Sequence, residues 1–161
     1  MSSEAVSNTS SDGASSTSSD AVSNTSHIVY PCLYYRDGAE MIEWLERAFG
    51  FEKRMAVADE EGKIAHSELT FGDAVIMVST AKTDKPWRSP LDLGGASATL
   101  CFYVSDPDAH HERAVAAGAE ITIPLTDTDY GSRDYTAKDP EGTFWTFGTY
   151  IPGAFWDKKE S

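Results

Sequence analysis

One structural unit occurs twice in this chain, and this duplication restricts the possible folds more than any other feature. Asp139–Gly142 is a turn sequence that leads into Phe144–Tyr150, a run of aromatic and β-branched residues typical of a strand. Phe71-Gly72-Asp73 likewise leads into the apolar run Ala74–Ser79, about 70 residues earlier. A turn followed by a strand, repeated at this separation, predicts two copies of one module.

The first predicted module covers residues 27–80. Its first strand is predicted over Ile28–Tyr35. Asp37, followed three residues later by Glu40, predicts the N-cap of a helix that ends at Gly50 and whose apolar residues recur at helical spacing. Three further strands are predicted over residues 51–58, 64–71 and 74–79.

The second predicted module covers residues 97–152 and follows a linker over residues 81–96. Asp106-Pro107 predicts the start of a helix that ends at Gly118. Strands are predicted over residues 97–104, 121–125, 134–138 and 144–150. The chain is therefore predicted to be an α+β domain over residues 27–152 that is built from two tandem β-α-β-β-β modules.

Composition excludes several classes of function. The net charge of −13 argues against nucleic-acid and anionic-membrane partners, and no apolar run reaches the ~20 residues that a membrane helix needs. Two cysteines are too few for a secreted fold that is stabilised by disulfide bonds. The cysteine count therefore favours a location in the reducing cytoplasm. Residues 1–26 contain no aromatic residue, lysine or arginine and are predicted to be a disordered tail, and residues 153–161 form a short C-terminal tail.

Alternation along the strand over residues 64–71 places two polar side chains on one side. His66 and Glu68 share this side and are either a proton-transfer pair, with His66 as acid or base near neutral pH, or a hydrogen-bonded structural pair. His110 and His111 lie on a helix in an acidic stretch and are predicted to face solvent.

Seven short motifs follow one another in a fixed order along residues 28–152. They are Tyr34–Ala39, Ala48–Glu52, Ile64–Leu69, Ala114–Ala119, Tyr130–Arg133, Asp139–Gly142 and Phe147–Tyr150. In this order they resemble the vicinal oxygen chelate superfamily, which includes glyoxalase I, bleomycin-resistance proteins, fosfomycin-resistance enzymes and extradiol dioxygenases. Within it, the chain looks most similar to the PhnB-like, glyoxalase-like proteins. The resemblance implies that the sheets of the two modules curl around a shared cleft.

The resemblance also bears on metal binding. Enzymes of this superfamily usually hold a divalent metal with His or Glu on the first and last strands of each module. The aligned positions here are Tyr30, Met77, Thr99 and Thr146. None of these is a usual ligand for such a site, so a metal-free cleft without a cofactor is predicted.

Cys32 and Cys101 lie two residues beyond two of the aligned positions. They either bind a soft metal, form a redox-sensitive disulfide, or pack as small buried hydrophobic residues. Arg133, expected near the mouth of the cleft, either binds a carboxylate or phosphate of a ligand or forms a surface salt bridge with Asp134 or Asp129.

Four aromatic residues share the face of the aligned positions and are predicted to line the cleft: Tyr30, Tyr34, Tyr103 and Phe144. Trp145 and Phe147 take the opposite face and are predicted to be core. An aromatic lining favours a protein that binds a small aromatic or amphipathic molecule. The alternatives are a glyoxalase-type lyase or isomerase that uses His66 and Glu68 or a non-standard metal site, and a structural module with a filled cleft. A homodimer is expected, with the modules pairing either within one chain or between two.

Overall fold

The computed structural model describes residues 29–154 of the chain. The predicted disordered tail and residues 155–161 lie outside this range. Eight strands and three helices occur within it. In chain order they are β1 (Cys32–Tyr35), α1 (Gly38–Phe49), β2 (Glu52–Ala58), β3 (Ile64–Phe71), β4 (Ala74–Thr80), α2 (Pro90–Leu93), β5 (Thr99–Tyr103), α3 (Pro107–Ala116), β6 (Glu120–Asp127), β7 (Arg133–Lys138) and β8 (Phe144–Gly148).

The two modules form two separate four-stranded sheets of matching topology. The strand orders are β1-β4-β3-β2 and β5-β8-β7-β6. The first strand of each module runs parallel to the last, and the remaining pairs are antiparallel. The predicted α+β fold of two tandem β-α-β-β-β modules is thus confirmed. β1 begins at Cys32 rather than at Ile28, and Pro31, which has no N–H, uses only its carbonyl to accept from the Met77 N–H at 2.9 Å.

Side-chain caps begin both long helices, as the sequence predicts. Asp37 accepts from the Glu40 N–H at 3.0 Å, and Asp106 accepts from the Ala109 N–H at the same distance. Gly50 ends α1 with a φ of 81°, the left-handed conformation that glycine adopts without steric cost. Local sequence signals therefore position each helix against its sheet.

A single hydrophobic core joins the two modules. Trp145 and Phe147 are fully buried, which confirms their predicted place in the core. Phe102 of the second module contacts Phe51 and Phe71 of the first, with ring centroids 5.4 and 5.5 Å apart. α1 and α3 also pack against each other. The apolar faces of both sheets are therefore directed toward one shared interior.

The turn between β7 and β8 adds a buried polar link across this interior. One oxygen of Asp139 accepts from the Tyr35 hydroxyl at 2.7 Å and from the Trp145 indole N–H at 2.9 Å. The other oxygen accepts from the backbone N–H groups of Glu141 and Thr143. Burial raises the pKa of the Asp139 carboxyl above its ordinary value, and the four donated hydrogen bonds act in the opposite direction.

Glu141 provides a second link between the modules. Its carboxylate accepts from the backbone N–H groups of Arg36 and Asp37, at 2.6 and 2.9 Å, where β1 leads into α1. It also accepts from the hydroxyl of Ser89 in the linker at 2.5 Å. One side chain of the second module therefore holds both the first module and the linker in place.

His110 forms a third link, and its predicted exposure to solvent is wrong. Its Nε2 lies 2.9 Å from the backbone oxygen of Phe49, which can only accept, so Nε2 carries the proton. Its Nδ1 then accepts from the Tyr135 hydroxyl at 2.8 Å. Burial lowers the pKa of His110, which favours this neutral form. The sequence could not reveal this role, because Phe49 and Tyr135 are distant along the chain.

Candidate functional site

Each sheet has one face that packs on the shared core and one face that points away from it. We name these outer faces open face 1, on β1–β4, and open face 2, on β5–β8. Open face 1 carries the side chains of Cys32, Tyr34, Met55, Val57, His66, Glu68, Met77 and Ser79. Open face 2 carries those of Thr99, Cys101, Tyr103, Ile123, Thr136, Phe144 and Thr146. Nearly all the predicted site residues in the strands therefore lie on one of these two faces.

Open face 1 combines apolar and ionisable groups. Met77 lies opposite Cys32 on one neighbouring strand and opposite Glu68 on the other. His66 Nε2 lies 3.4 Å from the nearer Glu68 carboxylate oxygen, and both side chains are partly exposed. The two side chains thus share one side of β3, as the sequence predicts. Tyr30 lies just before β1 and is 39% exposed.

Open face 2 is dominated by hydroxyl and apolar groups. Thr146 lies opposite Cys101 and Thr136, and the two threonine hydroxyls are 2.8 Å apart. A depression of about 670 Å³ is lined in part by Thr99, Cys101, Phe144 and Thr146. A second cavity, of about 380 Å³, is lined by Cys101, Tyr103 and Thr146 together with other residues. Open face 2 therefore offers concave space suited to a small molecule.

The two cysteines occupy equivalent places on the two open faces. Both are exposed and free of any disulfide in the structure. Their interpretation as buried hydrophobic residues is therefore wrong, since alternation along β1 and β5 turns both side chains away from the core.

Arg133 lies apart from the other predicted site residues. Alternation along β7 turns it to the opposite side of the sheet from Asp134 and Thr136. Its guanidinium donates to both carboxylate oxygens of Asp108 at 2.8 Å and to Asp127 at 3.1 Å. These two partners differ from both acidic residues considered from the sequence. A ligand-binding role for Arg133 stays a prediction, and it would require competition with two carboxylates.

Sequence reasoning missed several residues of the open faces. Thr136 could have been found by extending the alternating pattern along β7, whereas register shifts in the outer strands β2 and β6 break the alternation that would have led to Met55, Val57 and Ile123. Tyr130 and Tyr150 contact each other edge to face beside the smaller cavity. Trp87 stacks on Tyr34, with ring centroids 5.5 Å apart. No strand pattern could have identified Trp87, because it lies in the linker.

The open faces do not pack against each other within residues 29–154. The modules instead contact one another through the shared core and the helices α1 and α3. Tyr34 and Met77 therefore lie on one surface, and Thr99 and Thr146 lie on another. One cavity of about 640 Å³ is lined by residues of both modules, 71–76 of the first and 99–103 of the second.

The residues at the aligned metal positions do not fit a divalent metal. Tyr30, Met77, Thr99 and Thr146 provide a phenol, a thioether and two hydroxyls, whereas such metals prefer imidazole and carboxylate ligands. Across residues 29–154, no three His, Cys, Asp or Glu side chains are grouped so as to hold a metal ion. In the same range, no helix has the length and apolar character needed to span a membrane.

Comparisons with known proteins give a consistent result. Residues 25–147 match the family model described as Glyoxalase/Bleomycin resistance protein/Dioxygenase superfamily. The uncharacterized protein Mb0911c of Mycobacterium bovis is 31% identical over 124 residues, covering 73% of this chain and 80% of that protein. The uncharacterized protein Rv0887c of Mycobacterium tuberculosis is also 31% identical and is covered over 71% of its length.

Solved structures show the same fold. TioX from Micromonospora sp. ML1 is 32% identical, with a TM-score of 0.62 over 78% of this chain and 97% of TioX. The fosfomycin resistance protein FosX from Mesorhizobium loti has a TM-score of 0.56 at 15% identity, over 79% of this chain and 94% of FosX. At that identity, the likeness to FosX concerns the fold alone.

Proposed function

Because the chain belongs to the Glyoxalase/Bleomycin resistance protein/Dioxygenase superfamily, we propose that it binds a small aromatic or amphipathic molecule in a cleft walled by its open faces. The observation that carries this proposal is the chemistry of those faces. Open face 1 presents rings and thioethers, and the concave space on open face 2 is lined by rings and hydroxyls. Pockets of this kind hold a ligand by apolar contact and orient it with a few polar groups.

The cleft is proposed to work without a metal. The positions at which metal-dependent relatives have imidazole or carboxylate groups are occupied here by Tyr30, Met77, Thr99 and Thr146. These side chains do not provide the ligands that a divalent metal ion needs in order to bind and act as a Lewis acid. Thr146 and Thr136 instead supply paired hydroxyls that can hydrogen-bond a ligand. The chemistry of this surface favours recognition over activation of a bound oxygen.

A second copy of the chain is proposed to close the cleft. Open face 2 leaves Tyr103 and Ile123 more than half exposed, at 54% and 55%, and open face 1 leaves Val57 48% exposed. Pairing open face 1 of one copy with open face 2 of another would cover these side chains and would create two equivalent clefts in a closed dimer. Each cleft would then contain residues from both modules, as the resemblance implies.

Binding, metal content and assembly can be tested on the full chain. Purified protein is expected to contain no stoichiometric divalent metal by elemental analysis and to have the mass of a dimer by light scattering. A thermal-shift screen is expected to find aromatic compounds that stabilise the wild type, by about 2.7 kcal/mol at a hundred times Kd. Ile123→Glu should abolish both the dimer and the stabilisation, whereas the exposed-site control Val115→Glu should change neither. Stoichiometric zinc, nickel, manganese or iron would contradict the metal-free cleft.

Catalysis by His66 and Glu68 is the second candidate function. It is favoured by one observation, the 3.4 Å separation of His66 Nε2 and a Glu68 oxygen on an accessible face. A histidine beside a carboxylate can move a proton near neutral pH. If turnover of a glyoxalase-type substrate is found, His66→Ala should abolish it, and the control His111→Ala, on helix α3 of the other module, should not. Unchanged turnover in His66→Ala would exclude this role.

A further inference from the structure

The linker between the modules contains an ordered loop whose ends are both fixed. We name residues 81–88 the Trp87 loop. At one end, the Ala81 N–H donates to the backbone oxygen of Tyr35 at 2.7 Å. At the other end, the next residue, Ser89, is fully buried and donates to Glu141. Lys82 forms an ion pair with Asp59 at 2.7 Å, in the turn between β2 and β3. The loop is thus attached to both modules.

Arg88 organises the interior of this loop. Its guanidinium donates to the backbone oxygens of Lys82 and Trp87, at 3.2 and 2.8 Å, and also to those of Thr83 and Lys85. Five N–H donors in a rigid plane allow an arginine to hold several carbonyls at once. The loop therefore has a defined conformation although it contributes no buried apolar side chain.

This ordered loop presents an indole ring at open face 1. Trp87 is 49% exposed, and its ring lies nearly parallel to that of Tyr34, with an interplanar angle of 22°. Tyr34 lies opposite Ser79. The antiparallel register that pairs Met77 with Glu68 places Ser79 beside His66. The Trp87–Tyr34 pair and His66 therefore stand at the same end of open face 1, and Glu68 lies one pair further along the same face.

We propose that Trp87 and Tyr34 form a stacking site for a planar aromatic ligand that is neutral or cationic. The large flat ring of Trp87 gains contact area with another flat ring, and its π face attracts positive charge. Glu68 on the same surface favours a donor or cationic group on the ligand and disfavours an anionic one. This inference rests on the proposed binding function and defines the ligand class and the residue that selects it.

The inference can be tested by titrating the full-length protein into proflavine, a planar tricyclic cation, and following the fluorescence polarisation of the dye. Trp87→Ala is expected to weaken binding at least about tenfold, and Trp87→Phe, which keeps a ring, less than about threefold. The matched control Leu93→Ala removes an exposed apolar side chain from the same linker and should leave the affinity unchanged. Cyclohexylamine, a cation without a flat ring, should not compete.

Several outcomes would overturn the stacking site. The stacking site is wrong if Trp87→Ala binds proflavine with wild-type affinity, or if Trp87→Ala and Leu93→Ala lose affinity equally. It is also wrong if the wild type does not bind proflavine. If Trp87→Ala retains affinity while Ile123→Glu loses it, the stacking site is wrong and the proposed cleft stands. If the wild type binds neither proflavine nor any compound in the thermal-shift screen, both proposals fail. Melting temperature serves as the structural readout, and Trp87→Ala should shift it no more than Leu93→Ala does.

Discussion

Asp139→Asn is expected to lower the free energy of unfolding by roughly 3 kcal/mol. The Asp139 carboxylate accepts four hydrogen bonds and is 2% exposed. An amide has nearly the same shape, but its NH₂ group can only donate, so two of the four donors would lose their acceptor. Two of the four donors are the side chains of Tyr35, in the first module, and Trp145, in the second. The loss of these hydrogen bonds would weaken the contact between the modules.

This expectation can be checked by urea denaturation near neutral pH. Asp73→Asn is the matched control, because Asp73 is an exposed aspartate in the equivalent turn between β3 and β4. The control should stay within about 0.5 kcal/mol of the wild type, as surface substitutions usually do. Tyr35→Phe removes a single donor and should cost roughly 1 kcal/mol. If Asp139→Asn unfolds at the same urea concentration as Asp73→Asn, the hydrogen bonds at this turn do not stabilise the fold as argued.

Sequence signals were sufficient for features that depend on neighbouring residues. The N-caps at Asp37 and Asp106 each act on a backbone group three residues away, and the alternation along β8 assigned Trp145 to the core. Repetition of these local patterns was enough to establish two modules. The face on which a strand residue lies was predictable for the same reason along β1, β3, β4, β5, β7 and β8, whereas the register shifts in β2 and β6 break the alternation.

Features that join distant segments were not predictable. Asp139 looked like a turn residue, but its side chain meets Tyr35, 104 positions away in the sequence. His110 looked exposed because its neighbours on α3 are acidic, yet Phe49 and Tyr135 enclose it. Trp87 lies in a linker without periodicity, and its position over Tyr34 depends on the hydrogen bonds of Arg88. Each of these positions follows from how the modules pack, which no local pattern specifies.

Packing between the modules also bears on how a cleft can form. The apolar faces of both sheets are used within one chain, since Phe51 and Phe102 already meet in the shared core. The open faces are the surfaces left for a ligand or a second copy. The core is covered within one chain, yet Tyr103 and Ile123 remain largely exposed. Open face 2 therefore has apolar surface available for association.

Gly148→Ala is expected to destabilise the second module by roughly 2 to 4 kcal/mol. Gly148 lies at the end of β8, opposite Asp134 on β7. A methyl group there would collide with the Asp134 side chain and would lie 2.6 Å from the Arg133 backbone oxygen. Since backbone atoms cannot rotate away as side chains do, β7 and β8 would have to separate. Their separation would disturb the smaller cavity of open face 2, which Gly148 helps to line.

Urea denaturation and the thermal-shift screen together test this expectation. Gly95→Ala is the matched control, because a methyl group at Gly95 would meet no atom within 4 Å. The control should unfold at the same urea concentration as the wild type and should still be stabilised by the compounds found in the thermal-shift screen. Gly148→Ala should unfold at a lower urea concentration and should no longer be stabilised by those compounds. Gly148→Ala should displace the Thr146 and Thr136 hydroxyls together, because both residues belong to β7 and β8, the strand pair that Gly148 allows to approach closely. If Gly148→Ala matched Gly95→Ala in both measurements, the close approach of β7 and β8 would not be needed for either the fold or the site.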